Sequence, residues 1–118
     1  MTFEANLKTV LAVVTPRVFP DFAPVSTTRP YVTYQQVGGE VLNLLQNVPS
    51  GVKYAEMQIN VWSDTRAEAV QIANAIEDAM RAATTFFAKP TSAFIADYDA
   101  DVPVYGTHQD FSCRWTTA

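Results

Sequence analysis

The densest group of chemically capable side chains is "DYDAD", which places Asp97, Asp99 and Asp101 at alternate positions. Carboxylates at that spacing can bind a cation, perform acid–base chemistry, or repel another anion. D-x-D-x-D also opens a calcium-binding EF-hand loop, but that loop requires glycine at its sixth position and a bidentate glutamate at its twelfth. Counted from Asp97, those positions hold Val102 and His108, and no entering helix precedes them. A two-carboxylate hydrolytic site needs its acids to flank a cleft, and nothing else in the sequence defines one. The expectation is a solvated acidic loop between two strands, with no metal bound.

The remaining candidates are few. His108 is the one histidine and Cys113 the one cysteine. No disulfide can form within the chain, and a Cys/His zinc site lacks ligands. Five residues apart on one expected strand, the two side chains point to opposite faces, so they form no Cys–His pair. His108 has no nucleophile near it except Ser112, four residues on, and reads as a polar surface histidine. Cys113, between Phe111 and Trp115 on one face, reads as a buried thiol. Gly38-Gly39 lacks the Lys-Ser/Thr that completes a phosphate loop and precedes a strand rather than a helix, so a turn is expected there.

Composition narrows the function further. The 118 residues suit one domain with a modest core, spanning 1–118. At 48% hydrophobic and 17% charged the chain is globular rather than disordered. Apolar runs stop well short of the ~18 residues that a membrane span needs. The opening "MTFEANLKTVLAVV" has an acid before its only early lysine and no secretory pattern, so a cytoplasmic location is expected. The net charge is −4 with eight scattered Lys and Arg residues, whereas a nucleic-acid binder usually carries a basic stripe. Sequence-neutral binding to DNA is not expected, and repulsion from DNA is an open alternative.

These side chains must be positioned by a small set of elements. Phe3, Leu7, Val10, Leu11 and Val14 make one face of a helix over 3–14. Pro16 and Pro20 end it. "TPRVFPDFAPVSTTRP" has four prolines in sixteen residues and reads as an extended connector, pinned to the body by Phe19 and Phe22. "PYVTYQQV" reads as a strand with Val32 and Tyr34 on one face and Tyr31, Thr33 and Gln35 on the other. Gly38-Gly39 suits a tight hairpin turn, and "EVLNLL" reads as the return strand, with a helical turn as the competing reading.

The period-2 pattern is clearest in "AEMQINVW", where Met57, Ile59 and Val61 alternate with Glu56, Gln58, Asn60 and Trp62. The period then changes. Thr65 with Glu68 fits a capping box, and a helix to about Thr84 buries Ala69, Ile72, Ala73, Ile76, Met80 and Ala83. Glu77 and Arg81 can pair on its exposed side. Two further strands, near 92–98 and 108–116, finish the chain. Phe111, Cys113 and Trp115 share one face of the last; Asp110, Ser112 and Arg114 share the other. The expected fold is α+β: two helices packed on one face of a mostly antiparallel sheet of about five strands. The uncovered face then carries Tyr31, Thr33, Gln35, Gln58, Asn60 and Trp62. That aromatic, amide-rich set suits an interface core, where charge is depleted.

Four segments in order carry a resemblance to a known family: "PRVFPDFAP", "RPYVTYQQVGGE", "AEMQINVWSDTRAEAVQIANAIEDAM" and "YDADVPVYGTHQDFSCRW", together reaching from residue 16 to 115. They resemble the tail-completion, or tail-terminator, proteins of long-tailed bacteriophages. In that family an R-V-[YF]-P motif follows the first helix, here Arg17-Val18-Phe19-Pro20. A "PY" opens the first strand, here Pro30-Tyr31. A [VI]-x-V-W strand, here Ile59-Asn60-Val61-Trp62, runs into the long helix, and D-F-x-x-W, here Asp110-Phe111 with Trp115, closes the domain.

The resemblance implies a structural virion protein with no catalytic residues and no cofactor. Members form a ring, typically of six subunits, that caps the tail tube, ends its polymerisation and meets the head-completion complex. It implies assembly in the host cytoplasm and a final place at the head–tail junction. Its partners would be further copies of itself, the tail tube protein and the head-completion or connector protein, while DNA passes through without specific binding. A cyclic ring needs two different matching patches per subunit. The connector, with Arg17 and Phe19, is a candidate for one, and the face bearing Tyr31, Gln35, Gln58, Asn60 and Trp62 for the other. Asp97, Asp99 and Asp101 are candidates for the channel lining, where like charge keeps phosphates off the wall. Two alternatives stay open: another ring-forming head–tail connector or minor tail protein, and a small metal-dependent enzyme using the three aspartates.

Overall fold

The computed structural model describes residues 2–41 and 51–116. Thr2 caps the first helix, α1 (Phe3–Ala12), its hydroxyl accepting from the Ala5 amide at 3.1 Å. Phe3, Leu7 and Leu11 are its buried stripe. Phe3 stacks flat on Trp115, with centroids 4.0 Å apart, and meets Phe86 edge-on. The helix stops two residues short of the expected end at 14, and the Val14 and Thr15 amides turn back to the Leu11 carbonyl.

Among the described residues the sheet has six strands: β1 (Val18–Pro20), β2 (Tyr31–Gln36), β3 (Val52–Ser63), β4 (Phe87–Pro90), β5 (Ile95–Asp99) and β6 (Val104–Thr116). Their order is β1-β2-β3-β6-β4, with β5 also pairing β6. Of these pairings β1–β2 is parallel and the other four are antiparallel. The second helix, α2 (Arg66–Ala82), packs with α1 on one face. The α+β layering is therefore as expected, with one strand more than the five read from the sequence.

The core lies between the helices and that face. Met57, Ile59 and Val61 alternate inward along β3 and meet Ala69, Ala73, Ile76 and Met80 of α2, with Phe111 and Cys113 of β6 beside them. Ile72 and Ala83, expected inside, pack at its margin. Burying such side chains stabilises by about 1.5–3 kcal/mol each. At the α2 start, the Thr65 hydroxyl accepts from the Glu68 amide at 3.2 Å. The return half of the capping box is relayed: the Ser63 hydroxyl donates to Glu68 Oε1 at 2.5 Å and accepts from the Thr65 amide at 3.3 Å.

Several expectations are corrected. The connector contains a strand, because Val18 and Phe19 fall beside Val32 and Thr33. Phe19 packs, but Phe22 is 76% exposed and pins nothing. Gly38-Gly39 makes no tight turn. Glu56 still pairs with this segment, donating to the Gly38 carbonyl and accepting from the Val37 amide, so the chain has not yet reversed. Gly39 is needed for close approach instead. Its φ is +138°, and a Cβ there would lie 2.8 Å from the Ala55 Cα. Most of "EVLNLL" falls outside the described residues; Glu40 and Val41 belong to no strand or helix.

Near the end, β4 was not expected. Its four residues stop at Pro90, a position tolerated because β4 is an edge strand. The strand expected near 92–98 starts later, at Ile95, and β6 begins four residues earlier than expected, at Val104.

Candidate functional site

The uncovered face of the sheet is where the candidate side chains converge. Cross-strand register puts Tyr31 opposite Trp62, Thr33 opposite Asn60 and Gln35 opposite Gln58. It continues across β6, with Asn60 opposite His108 and Trp62 opposite Gly106. β5 then adds Ile95 beside His108 and Asp97 beside Gly106. The face expected from alternation therefore exists, and it extends into residues that the sequence left apart.

A polar chain runs across it. Asn60 Nδ2 and Trp62 Nε1 both donate to Thr33 Oγ1, each at 3.4 Å. His108 Nδ1 lies 2.7 Å from Asn60 Oδ1. With the amide oxygen as acceptor, Nδ1 carries the ring proton. Nε2 then faces Asp97 Oδ2 at 3.6 Å, and ring protonation would make that contact an ion pair. Trp62 covers Gly106, where a Cβ would meet the indole ring at 3.0 Å, and it stands edge-on to His108 with centroids 5.4 Å apart. Under this lid Thr33 and Asn60 are only 3% and 7% exposed.

The three aspartates do not act as one group. Asp97 and Asp99 lie in β5, not in a loop, and only Asp101 lies in the turn before β6. Asp97 accepts from the Tyr98 amide through Oδ1 and faces His108 through Oδ2. Asp99 Oδ1 accepts from the Asp101 and Val102 amides at 3.0 and 3.4 Å, closing the hairpin turn. Asp101 is exposed. Among the described residues, no three His, Cys, Asp or Glu side chains converge as a metal site. Ser112 sits four residues along β6 from His108, about 13 Å away, so the Asp97–His108 pair has no nucleophile from that position.

Other candidates have structural attachments. Arg17 Nε donates to the Pro30 carbonyl at 2.9 Å, tying the two ends of the connector together. Phe19 meets Tyr31 edge-on at 6.5 Å. Tyr31, Gln58 and Trp62 are half-buried and Gln35 is exposed. Sequence reasoning missed Arg29, whose Nη1 reaches both Asp64 Oδ1 and the Pro103 carbonyl at 2.9 Å, fastening the connector to the β3–α2 and β5–β6 turns. It also missed the Asp97–His108 pairing. The two are eleven positions apart in sequence, and the hairpin register, set by the Asp99 turn, brings them together. Cys113 is fully buried; burial first, then the negative charge of Glu56, pushes its thiol up to about 12.

The architecture is thus an α+β domain with helices on one sheet face and a polar, aromatic cluster on the other. Over residues 5–115 the chain matches the family model described as "Tail completion protein gp17", and it belongs to that family. It is a phage tail-completion protein, with a structural role in the virion tail. No curated protein matches the chain. Among the described residues, no helix is long and apolar enough to cross a membrane.

Proposed function

We propose that the chain acts as one domain that assembles into a six-membered ring on the end of the tail tube. The ring stops tube polymerisation and presents a surface to the head-completion complex. The family match over residues 5–115 carries this reading. The partially covered sheet face supports it. Tyr31, Gln58 and Trp62 are half-buried beside exposed Gln35, which suits an interface of aromatic and amide groups with little charge at its centre.

We assign contacts with neighbouring subunits or the tube to that face and to the connector. Tyr31, Gln35, Gln58 and Trp62 touch the partner in this reading. Arg17, Phe19 and Asn60 hold the contact surfaces in shape. Asp97, Asp99 and Asp101 belong to the channel or its rim, where like charge lets DNA pass without binding. The ring carries out no catalysis and needs no cofactor. It forms in the host cytoplasm and ends at the head–tail junction.

Electron microscopy of the purified protein, alone and mixed with its tube protein, tests this. Rings seated on tube ends, and tubes that no longer lengthen, are the expected result. Tubes that stay bare and continue to grow would overturn it.

A further inference from the structure

Two uncharged surfaces at different places on this chain have matching chemistry. The first is the tip of the connector, "FAPVSTT" (22–28), which contains no charged residue. Phe22 is 76% exposed and Val25 97%. The loop that displays them is held at many points. The Asp21 amide donates to the Tyr34 carbonyl at 2.8 Å, and the Phe22 amide to the Pro20 carbonyl at 2.7 Å. Thr27 closes a turn on the Pro24 carbonyl through both its amide and its hydroxyl. Asp21 and Ser26 adopt positive φ, 63° and 67°. For non-glycine residues this is a cost that persists only where surrounding contacts impose it. A loop fixed in advance loses little conformational freedom on binding.

The second surface is an open groove of about 370 Å³ between the helices, lined by Val10 of α1 and Val13 just past its end, Ala79 and Ala82 of α2, and Ala83 and Thr85 beyond it. No charged side chain lines it among the described residues. Val13 is 82% exposed at its edge. Within one copy the loop does not fill the groove: Phe22 and Val25 are exposed and neither lines it. Arg29 anchors the connector beside Asp64, just before α2 begins. The groove lies at the other end of that 17-residue helix, about 25 Å from the Arg29 anchor along the helix axis.

We propose that the connector tip of one copy, through Phe22 and Val25, docks into the α1–α2 groove of the next. This rests on the ring reading above and supplies its subunit contact. Copies with a net charge of −4 repel one another, and two uncharged surfaces allow approach without opposing like charges directly. Each copy gives one loop and receives one. A contact between two different patches is heterologous, which is the arrangement that closes into a ring.

Cross-linking on assembled protein tests the proposal. Val25→Cys is combined in turn with Val13→Cys, Ala82→Cys and Thr85→Cys, all at exposed positions, and the samples are oxidised after assembly on tube ends. A ladder of disulfide-linked multimers of this chain is expected with at least one pair. Separately, Val25→Glu should raise the concentration needed for assembly about tenfold or more, and adding Ala82→Lys should restore part of the loss. If rings form but no pair cross-links and Val25→Glu assembles normally, the docking proposal is wrong and the ring reading stands. Cross-links only to the tube protein likewise overturn it, giving the loop a different occupant. If the unmodified protein forms no ring on the tube, the ring reading fails and this proposal fails with it.

Discussion

At Cys113, burial and the nearby charge of Glu56 both oppose the thiolate. Tyr34 is displaced in the same direction, first by burial and then by Glu4 and Asp21. A group with a raised folded-state pKa keeps more protons in the native state than in the unfolded one as pH rises. Its stabilising contribution is complete below the ordinary thiol pKa of about 8.5 and is lost as pH climbs toward about 12. Chemical denaturation at a series of pH values should show a flat stability up to about 8.5 and a decline beyond it. Cys113→Ala should make that decline shallower, leaving the part due to Tyr34. An unchanged slope would show that the thiol does not titrate in the unfolded chain as supposed. The same burial should leave Cys113 unreactive to thiol reagents in the native protein, so it does not interfere with the cross-linking test.

Among the elements, α2 has two separable sources of stability. Its N-terminus is closed by Thr65, whose exposed hydroxyl holds the Glu68 amide. Thr65→Ala should cost about 1 kcal/mol, the usual loss for an N-cap, with Ser63 retaining its hold on Glu68. Its inner face is anchored by Ile76, 1% exposed against β3 and β6. Ile76→Ala should cost about 2–5 kcal/mol, combining lost transfer energy with a cavity. Urea denaturation midpoints at constant slope measure both. An Ile76→Ala loss below about 0.5 kcal/mol would be inconsistent with a packed core site. The Glu77–Arg81 pair, 3.4 Å apart with Arg81 exposed and Glu77 half-buried, should contribute only a few tenths of a kcal/mol.

For the whole molecule, the proposed ring of acidic copies would present its negative charge to DNA. Asp97 and Asp101 can be changed without opening the hairpin turn, because Asp99 makes that closure. Asp97→Lys with Asp101→Lys should leave ring assembly intact and make the ring retain DNA at low salt. Release should follow rising salt steeply, since phosphate contacts exchange with counterions. A filter-binding titration reads both. No retention at any salt would place these residues away from the channel. Loss of assembly would instead assign them to a subunit contact.

Much of this was determined by sequence alone. Alternation in β3 and the 3.6-residue period in α2 state which side chains face inward, because one buried face is enough to fix each pattern. Thr65 and Glu68 marked the start of α2, and the ordered motifs from Arg17 to Trp115 indicated the family. Long-range pairing was not legible. The tertiary structure decided that Gly39 presses on Ala55 rather than forming a two-residue turn, that β4 exists although only four residues long, and that Asp97 faces His108. Each depends on register between different segments of the chain, about which the periodicity within one strand is silent. The connector's apolar tip was misread for a related reason. Phe22 has the composition of a buried residue, and only the fold, by placing β1 beside β2 and tying Asp21 to Tyr34, turns its side chain outward.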